Sequence, residues 1–198
     1  RQHKELQDMI NKGKKMFMPV FPGVRFLESP SQFKFKWPDG EELLFRAVES
    51  PSAYWQHHGN EYQYLGFDEL CSWPTPELYD SLKSLLRVSK EGVPLRIRST
   101  TNPFGPGASW VKSRFVDPQP EWSPQGAHME YRDRPIARFD GAVTENTYLA
   151  KASPTYIANL AAIGNQAMRE AWLNGSWDYA VGGFFNGFCN GSFILFNG

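Results

Sequence analysis

Apolar and polar positions alternate with two different periods along this chain. Near the start, Leu6, Met9 and Ile10 recur on one stripe among polar residues, which predicts a polar helix over residues 1–15 ended by the proline-containing stretch 17–22. The period then drops to two: Phe33, Phe35 and Trp37 alternate with Lys34 and Lys36, Pro38-Asp39-Gly40 supplies a turn, and residues 42–48 return as a second half-buried strand. Residues 64–67 read as a short strand and 95–98 as another. Between them Thr75-Pro76-Glu77 predicts a helix to about Val88, with Thr75 as N-cap and Pro76 at the first helical position. Strand, helix and strand within about 35 residues is the size of a crossover joining parallel strands, an α/β signature. A loop at 102–107 precedes a short helix near 109–115, a proline-rich segment at 117–135 breaks the pattern, and 136–139 reads as one more strand. Helices over 154–163 and 166–173 lead to Asn174-Gly175-Ser176-Trp177.

Composition narrows the class. The chain has 198 residues, enough to bury a core without disulfides, and its 41% hydrophobic and 21% charged residues are those of a folded protein rather than a disordered one. Lys plus Arg equals Asp plus Glu at 21 each, so contact with a polyanion must come from a local patch and not from net charge. Cys71 and Cys189 lie far apart with no metal-ligand spacing, which argues for a reducing, cytoplasmic setting. Residues 179–198 carry no charge, but three Asn and five Gly dilute their hydrophobicity below that of a membrane span, and they read as the start of another domain. The first residue is Arg, and the chain reads as an excerpt of a longer protein.

The strand Tyr64-Leu65-Gly66-Phe67 delivers Asp68-Glu69 at its carboxyl end, the form of a Walker B element. Ligands of open parallel sheets bind beyond the carboxyl ends of strands. There Asp68 is placed to hold a nucleotide-bound Mg2+, commonly through water, and Glu69 to orient and deprotonate the attacking water. The next strand ends in Ser99-Thr100-Thr101-Asn102-Pro103, with Thr101 thirty-three residues beyond Asp68. Its hydroxyls and amide suit a sensor of the γ-phosphate that triggers movement on hydrolysis. Arg46, Arg87, Arg96 and Arg98 are candidates for an arginine finger, among which the sequence does not select. His57-His58 lacks a third metal ligand nearby, and adjacent residues project in different directions. Lys4, Lys12, Lys14 and Lys15, and Arg132, Arg134 and Arg138, are candidate phosphate contacts or ordinary solvated charges.

Taken together these residues resemble the large subunit of tailed-phage terminase, the ATP-driven motor that packages DNA into viral capsids. Phe35-Lys36-Trp37-Pro38-Asp39-Gly40 is similar to the family's hairpin. Gly59-Asn60-Glu61-Tyr62, leading to Gly66-Phe67-Asp68-Glu69-Leu70, is similar to its Walker B approach. Leu85-Leu86-Arg87, Arg98 to Pro103 and Trp110 to Phe115 resemble the segment with its coupling motif, and Tyr156 to Leu160, Leu173 and Gly175 to Trp177 resemble the helices leading toward the nuclease. No GxxxxGK[ST] loop occurs in the chain. In the family that Walker A loop precedes the helix corresponding to residues 1–15. The nuclease resembles an RNase H fold with several metal-binding carboxylates, whereas no Asp or Glu follows Asp178 here.

The resemblance implies an α/β fold: an incomplete P-loop NTPase-like parallel sheet with flanking helices, a β-hairpin and a small helical linker element. Residues 1–130 would be a partial ATPase core without Walker A, 131–177 a helical lid or linker, and 178–198 the start of a following domain. It implies ATP and Mg2+ as cofactors of the complete protein, with Glu69 catalytic, Asp68 on the metal and Thr100, Thr101 and Asn102 at the nucleotide. Implied partners are double-stranded DNA, the terminase small subunit and the portal or prohead, in a homo-oligomeric ring within the cytoplasm of the bacterial host, with no membrane association. Two alternatives are an aromatic-rich binding module, given seven Trp, eight Tyr and fifteen Phe, and a fragment of another P-loop ATPase such as a helicase.

Overall fold

The computed structural model describes residues 3–29, 32–48, 50–89, 91–117, 129–131, 134–136 and 138–178. The uncharged segment 179–198, Cys189 and most of the proline-rich stretch expected at 117–135 lie outside the described residues. The chain divides into two compact units, residues 1–60 and 61–198.

In the first unit the predicted stripe makes the core. Helix α1 (His3–Phe17) buries Leu6 and Ile10 together with Val24, Phe35 and Phe45, and Met9, Phe17, Phe26, Phe33, Trp37 and Leu43 close around them. Gly13 lets the helix approach the sheet: a Cβ there would lie 2.9 Å from the Phe35 ring. The sheet is an antiparallel meander of β1 (Arg25–Ser29), β2 (Gln32–Lys36) and β3 (Glu42–Phe45). The expected hairpin forms with Lys36 opposite Glu42, and its turn closes through Trp37 N–H to Glu41 O at 2.9 Å. The returning strand ends at Phe45 rather than at residue 48. Strand β1 was not legible in the sequence. It is an edge strand whose Arg25, Leu27 and Glu28 are exposed, so it carries no strong alternation, and pairing with β2 forms it.

In the second unit β4 (Tyr64–Phe67) and β5 (Arg96–Ser99) pair in parallel, Tyr64 beside Arg96 and Phe67 beside Ser99, with the crossover helix between them. That helix, α2 (Glu77–Lys83), is shorter than expected at both ends. Pro76, not Thr75, is the N-cap. At the other end Ser84 Oγ donates to Ser81 O at 2.6 Å, and the backbone of residues 85–87 is taken by Tyr62: Tyr62 N–H donates to Leu85 O and Arg87 N–H to Tyr62 O, both at 3.0 Å. Tertiary hydrogen bonding thus captures residues whose local pattern is helical. Phe67, Leu70, Cys71, Leu78, Tyr79, Leu82, Leu85, Ala108 and Val111 are buried in this unit. Helix α3 (Ala108–Val111) continues as a π-turn over Lys112–Val116.

The remaining elements are small. Strands β6 (Met129–Tyr131) and β7 (Arg134–Ile136) form a hairpin, so the strand expected at 136–139 lies earlier and stops at Ile136. Three helices follow, α4 (Thr147–Ala152), α5 (Pro154–Ala161) and α6 (Gln166–Asn174). Asn146 and Asn165 cap α4 and α6 through their side chains, and Gly175 ends α6 with φ 64°. The described residues therefore combine helices with small sheets, and parallel pairing of named strands among them is confined to β4 and β5.

Candidate functional site

The carboxyl ends of β4 and β5 lie side by side, because the two strands run parallel and in register to their last residues, Phe67 and Ser99. The residues that follow each strand therefore meet at one edge. After β4 the chain turns inward so that Leu70 and Cys71, 2% and 1% exposed, enter the core. The reversal falls on Glu69, which adopts φ 53° and ψ 56°. Among the described residues it is the one non-glycine with positive φ. Such a conformation costs about 1–3 kcal/mol and persists only where its surroundings over-determine it.

Those surroundings come from the segment after β5. Thr100 bonds the turn three times: its N–H donates to Phe67 O at 2.9 Å, its carbonyl accepts Leu70 N–H at 3.0 Å, and Oγ1 donates to Asp68 Oδ1 at 2.6 Å. Thr101 Oγ1 accepts Cys71 N–H at 3.0 Å and donates to Asn102 O at 3.1 Å. Asp68, Thr100 and Asn102 are exposed, while Glu69 and Thr101 are half-buried. The structure thus joins Asp68 directly to Thr100 and places Glu69 next to that contact, whereas Thr101 turns its hydroxyl toward the backbone of the buried turn. Burial pushes the Cys71 thiol above its ordinary pKa, against a smaller opposing effect of Thr101.

Sequence reasoning missed the part that completes the turn. Gly107 N–H donates to Cys71 O at 2.8 Å, and Trp110 Nε1 donates to Trp73 O at 2.7 Å. Gly105, at φ 138°, leaves a Cβ only 2.7 Å from Cys71 O, and a Cβ on Gly107 would collide with Trp73 O. The glycines in Asn102-Pro103-Phe104-Gly105-Pro106-Gly107 were the available signal, but spacing alone marks them only as a loop. Arg114 forms a two-pronged ion pair with Asp80, both bonds 2.8 Å, with its guanidinium stacked over the rings of Tyr79 and Trp110.

The remaining candidates are spread over the surface. Arg96 and Arg98 point outward from β5, with Arg98 Nη1 donating to Ile97 O at 3.1 Å, and Arg46 donates to Phe45 O. His57 is buried and His58 exposed beside Tyr54 and Trp55. Burial first, and the Arg46 charge second, hold the His57 imidazole below its usual pKa. Lys12 pairs with Asp8, Lys14 sits over the Phe26 ring, and Arg138 pairs with Asp140. The side chains of Lys4, Arg132 and Arg134 lie outside the described residues.

No group of three or more His, Cys, Asp and Glu that could hold a metal occurs among the described residues. One carboxylate with a hydroxyl beside it is nevertheless the donor set of a nucleotide-bound Mg2+, a hard cation that takes few protein ligands and completes its shell with phosphates and water. Asp68 fits that demand in exposure and chemistry.

Comparison with known proteins gives one family. The family described as "Terminase large subunit, T4likevirus-type, N-terminal" matches over residues 1–189. No curated protein and no solved structure gives a significant match. The family match spans both units and includes the Asp68–Asn102 edge, so the chain belongs to the T4-like-virus-type terminase large subunit N-terminal family and takes part in phage DNA packaging.

Proposed function

We propose that this chain carries the water-activating and coupling residues of a DNA-packaging ATPase. The supporting observation is the 2.6 Å contact from Thr100 Oγ1 to Asp68 Oδ1, which links the end of one parallel strand to the end of the next at the edge where ligands of such sheets bind. Terminase large subunits are ATPases in general. On this reading Asp68 would hold Mg2+, which would supply positive charge to offset that on the phosphates. Glu69 takes a proton from the attacking water as its oxygen bonds to the γ-phosphorus and the bond to the β–γ bridging oxygen breaks. Thr100, Thr101 and Asn102 then relay the loss of the γ-phosphate into movement.

The chain has no GxxxxGK[ST] loop, so the amides and lysine that cradle the phosphates must come from outside these 198 residues. Residues 1–130 act as the ATPase core part and 131–177 as the lid or linker. The partners are double-stranded DNA, the small subunit and the portal or prohead, in a ring formed in the host cytoplasm. No helix among the described residues is long and apolar enough to cross a membrane. Family membership favours this motor over a helicase, and the packing of Phe17, Phe26, Phe35, Phe45 and Trp37 against one another places five of the aromatics behind the binding-module alternative in a core.

The test requires a large subunit that carries the phosphate-binding loop. Glu69→Gln should lower ATP turnover by about 10²–10⁴-fold while ATP still binds, because the amide keeps the shape but cannot accept the proton. Asp68→Asn should instead weaken Mg2+ binding, so that turnover requires a higher Mg2+ concentration. Turnover within a few-fold of the parent in Glu69→Gln removes Glu69 as the base.

A further inference from the structure

We propose that Thr101 and the glycine loop 102–107 form a positioning brace that sets Glu69, by clamping both peptide groups of Cys71 and so holding Glu69 in its left-handed backbone conformation. The proposal rests on reading Glu69 as the group that activates water.

An isolated residue with φ 53° relaxes to the right-handed or extended region unless the chain is fixed on both sides of it. Before Glu69, Phe67 is fixed in β4 and its carbonyl accepts Thr100 N–H. After Glu69, Leu70 N–H is held by Thr100 O, Cys71 N–H by Thr101 Oγ1, and Cys71 O by Gly107 N–H. These pins all come from residues 100–107, about thirty positions further along the chain. The approach is close enough that the loop needs glycine: a Cβ at Gly105 would lie 2.7 Å from Cys71 O, and one at Gly107 would strike Trp73 O. Any larger residue pushes residues 71–73 away and frees Glu69 to turn. The arrangement also joins the two carboxylates mechanically. Thr100 bonds Asp68 through its side chain and the turn through its backbone, so a displacement of this segment moves Asp68 and Glu69 together.

Two readouts test the brace. In the chain itself, Thr101→Val removes the hydroxyl at similar volume. Amide hydrogen exchange at Cys71 and Leu70 should rise by about tenfold or more, amides of β2 in the other unit should keep their parent rates, and Thr101→Ser should restore protection. Parent-like exchange at Cys71 in Thr101→Val overturns the proposal, as does exchange that rises equally in β2. In a large subunit with the phosphate-binding loop, Thr101→Val and Gly105→Ala should lower kcat by about tenfold to a hundredfold with KM for ATP within about twofold, and Thr101→Ser should recover kcat. An unchanged kcat, or a rise in KM alone, overturns it. Failure of the underlying reading is seen separately: Glu69→Gln leaving turnover intact overturns the role of Glu69, while amide exchange reports on the brace without reference to turnover.

Discussion

At the scale of single residues, chemistry in this protein is set by which neighbour takes each polar group. Thr100 and Thr101 are adjacent and chemically identical, yet one hydroxyl meets an exposed carboxylate and the other a buried backbone amide. The sequence places both at a strand end, but the alternation of side chains past that end decides their roles. His57 and His58 divide in the same way, one buried and one exposed. The folded state of His57 has a pKa below the ordinary value of about 6.5, so it stays neutral where the unfolded chain already binds a proton. Its contribution to stability is therefore present above that unfolded value and is lost as pH falls toward the folded pKa. In NMR titration the His57 ring should show a midpoint below about 6.5, and a midpoint at or above it contradicts the burial that lowers it.

At the scale of elements, periodic patterns were legible where a whole face is buried. The Leu6–Met9–Ile10 stripe and the Phe33–Phe35–Trp37 alternation both point into one core, and Phe35, fully buried between α1 and its strand neighbours, is its centre. Phe35→Ala should destabilise the first unit by about 3–5 kcal/mol in denaturant unfolding, since it removes a buried ring and leaves a cavity under Gly13. A loss below about 1 kcal/mol would place the centre of that core elsewhere. Elements held by pairing rather than by their own pattern were not legible. Strand β1 exposes three of its five residues, and α2 gives up its expected last turn because Tyr62 engages the backbone of residues 85–87.

At the scale of the molecule, the chain brings a carboxylate and hydroxyls to one sheet edge, which we propose is part of a nucleotide site, but it contains no GxxxxGK[ST] loop. Nucleotide affinity in P-loop proteins comes chiefly from that loop, with the metal and carboxylates adding to it. The purified 198-residue chain should therefore release phosphate from ATP no faster than buffer. ATP with Mg2+ should also leave its melting temperature unchanged, whereas occupancy at a hundredfold excess over Kd would add about 2.7 kcal/mol. Magnesium-dependent turnover that disappears in Glu69→Gln would show that the edge binds triphosphate without the loop.

By itself the sequence determined the strands that carry the site, their parallel crossover and the residues at their ends, because burial period and strand length are local properties. It also carried the resemblance to the terminase large subunit, whose N-terminal family matches residues 1–189. Only the tertiary structure decided that Glu69 turns left-handed, that Thr100 reaches Asp68 while Thr101 reaches Cys71, and that Gly105 and Gly107 press against the same turn. These are contacts between segments about thirty residues apart, and no periodicity on either segment encodes them. They depend on the register in which β4 and β5 pair, which aligns the ends of the two strands.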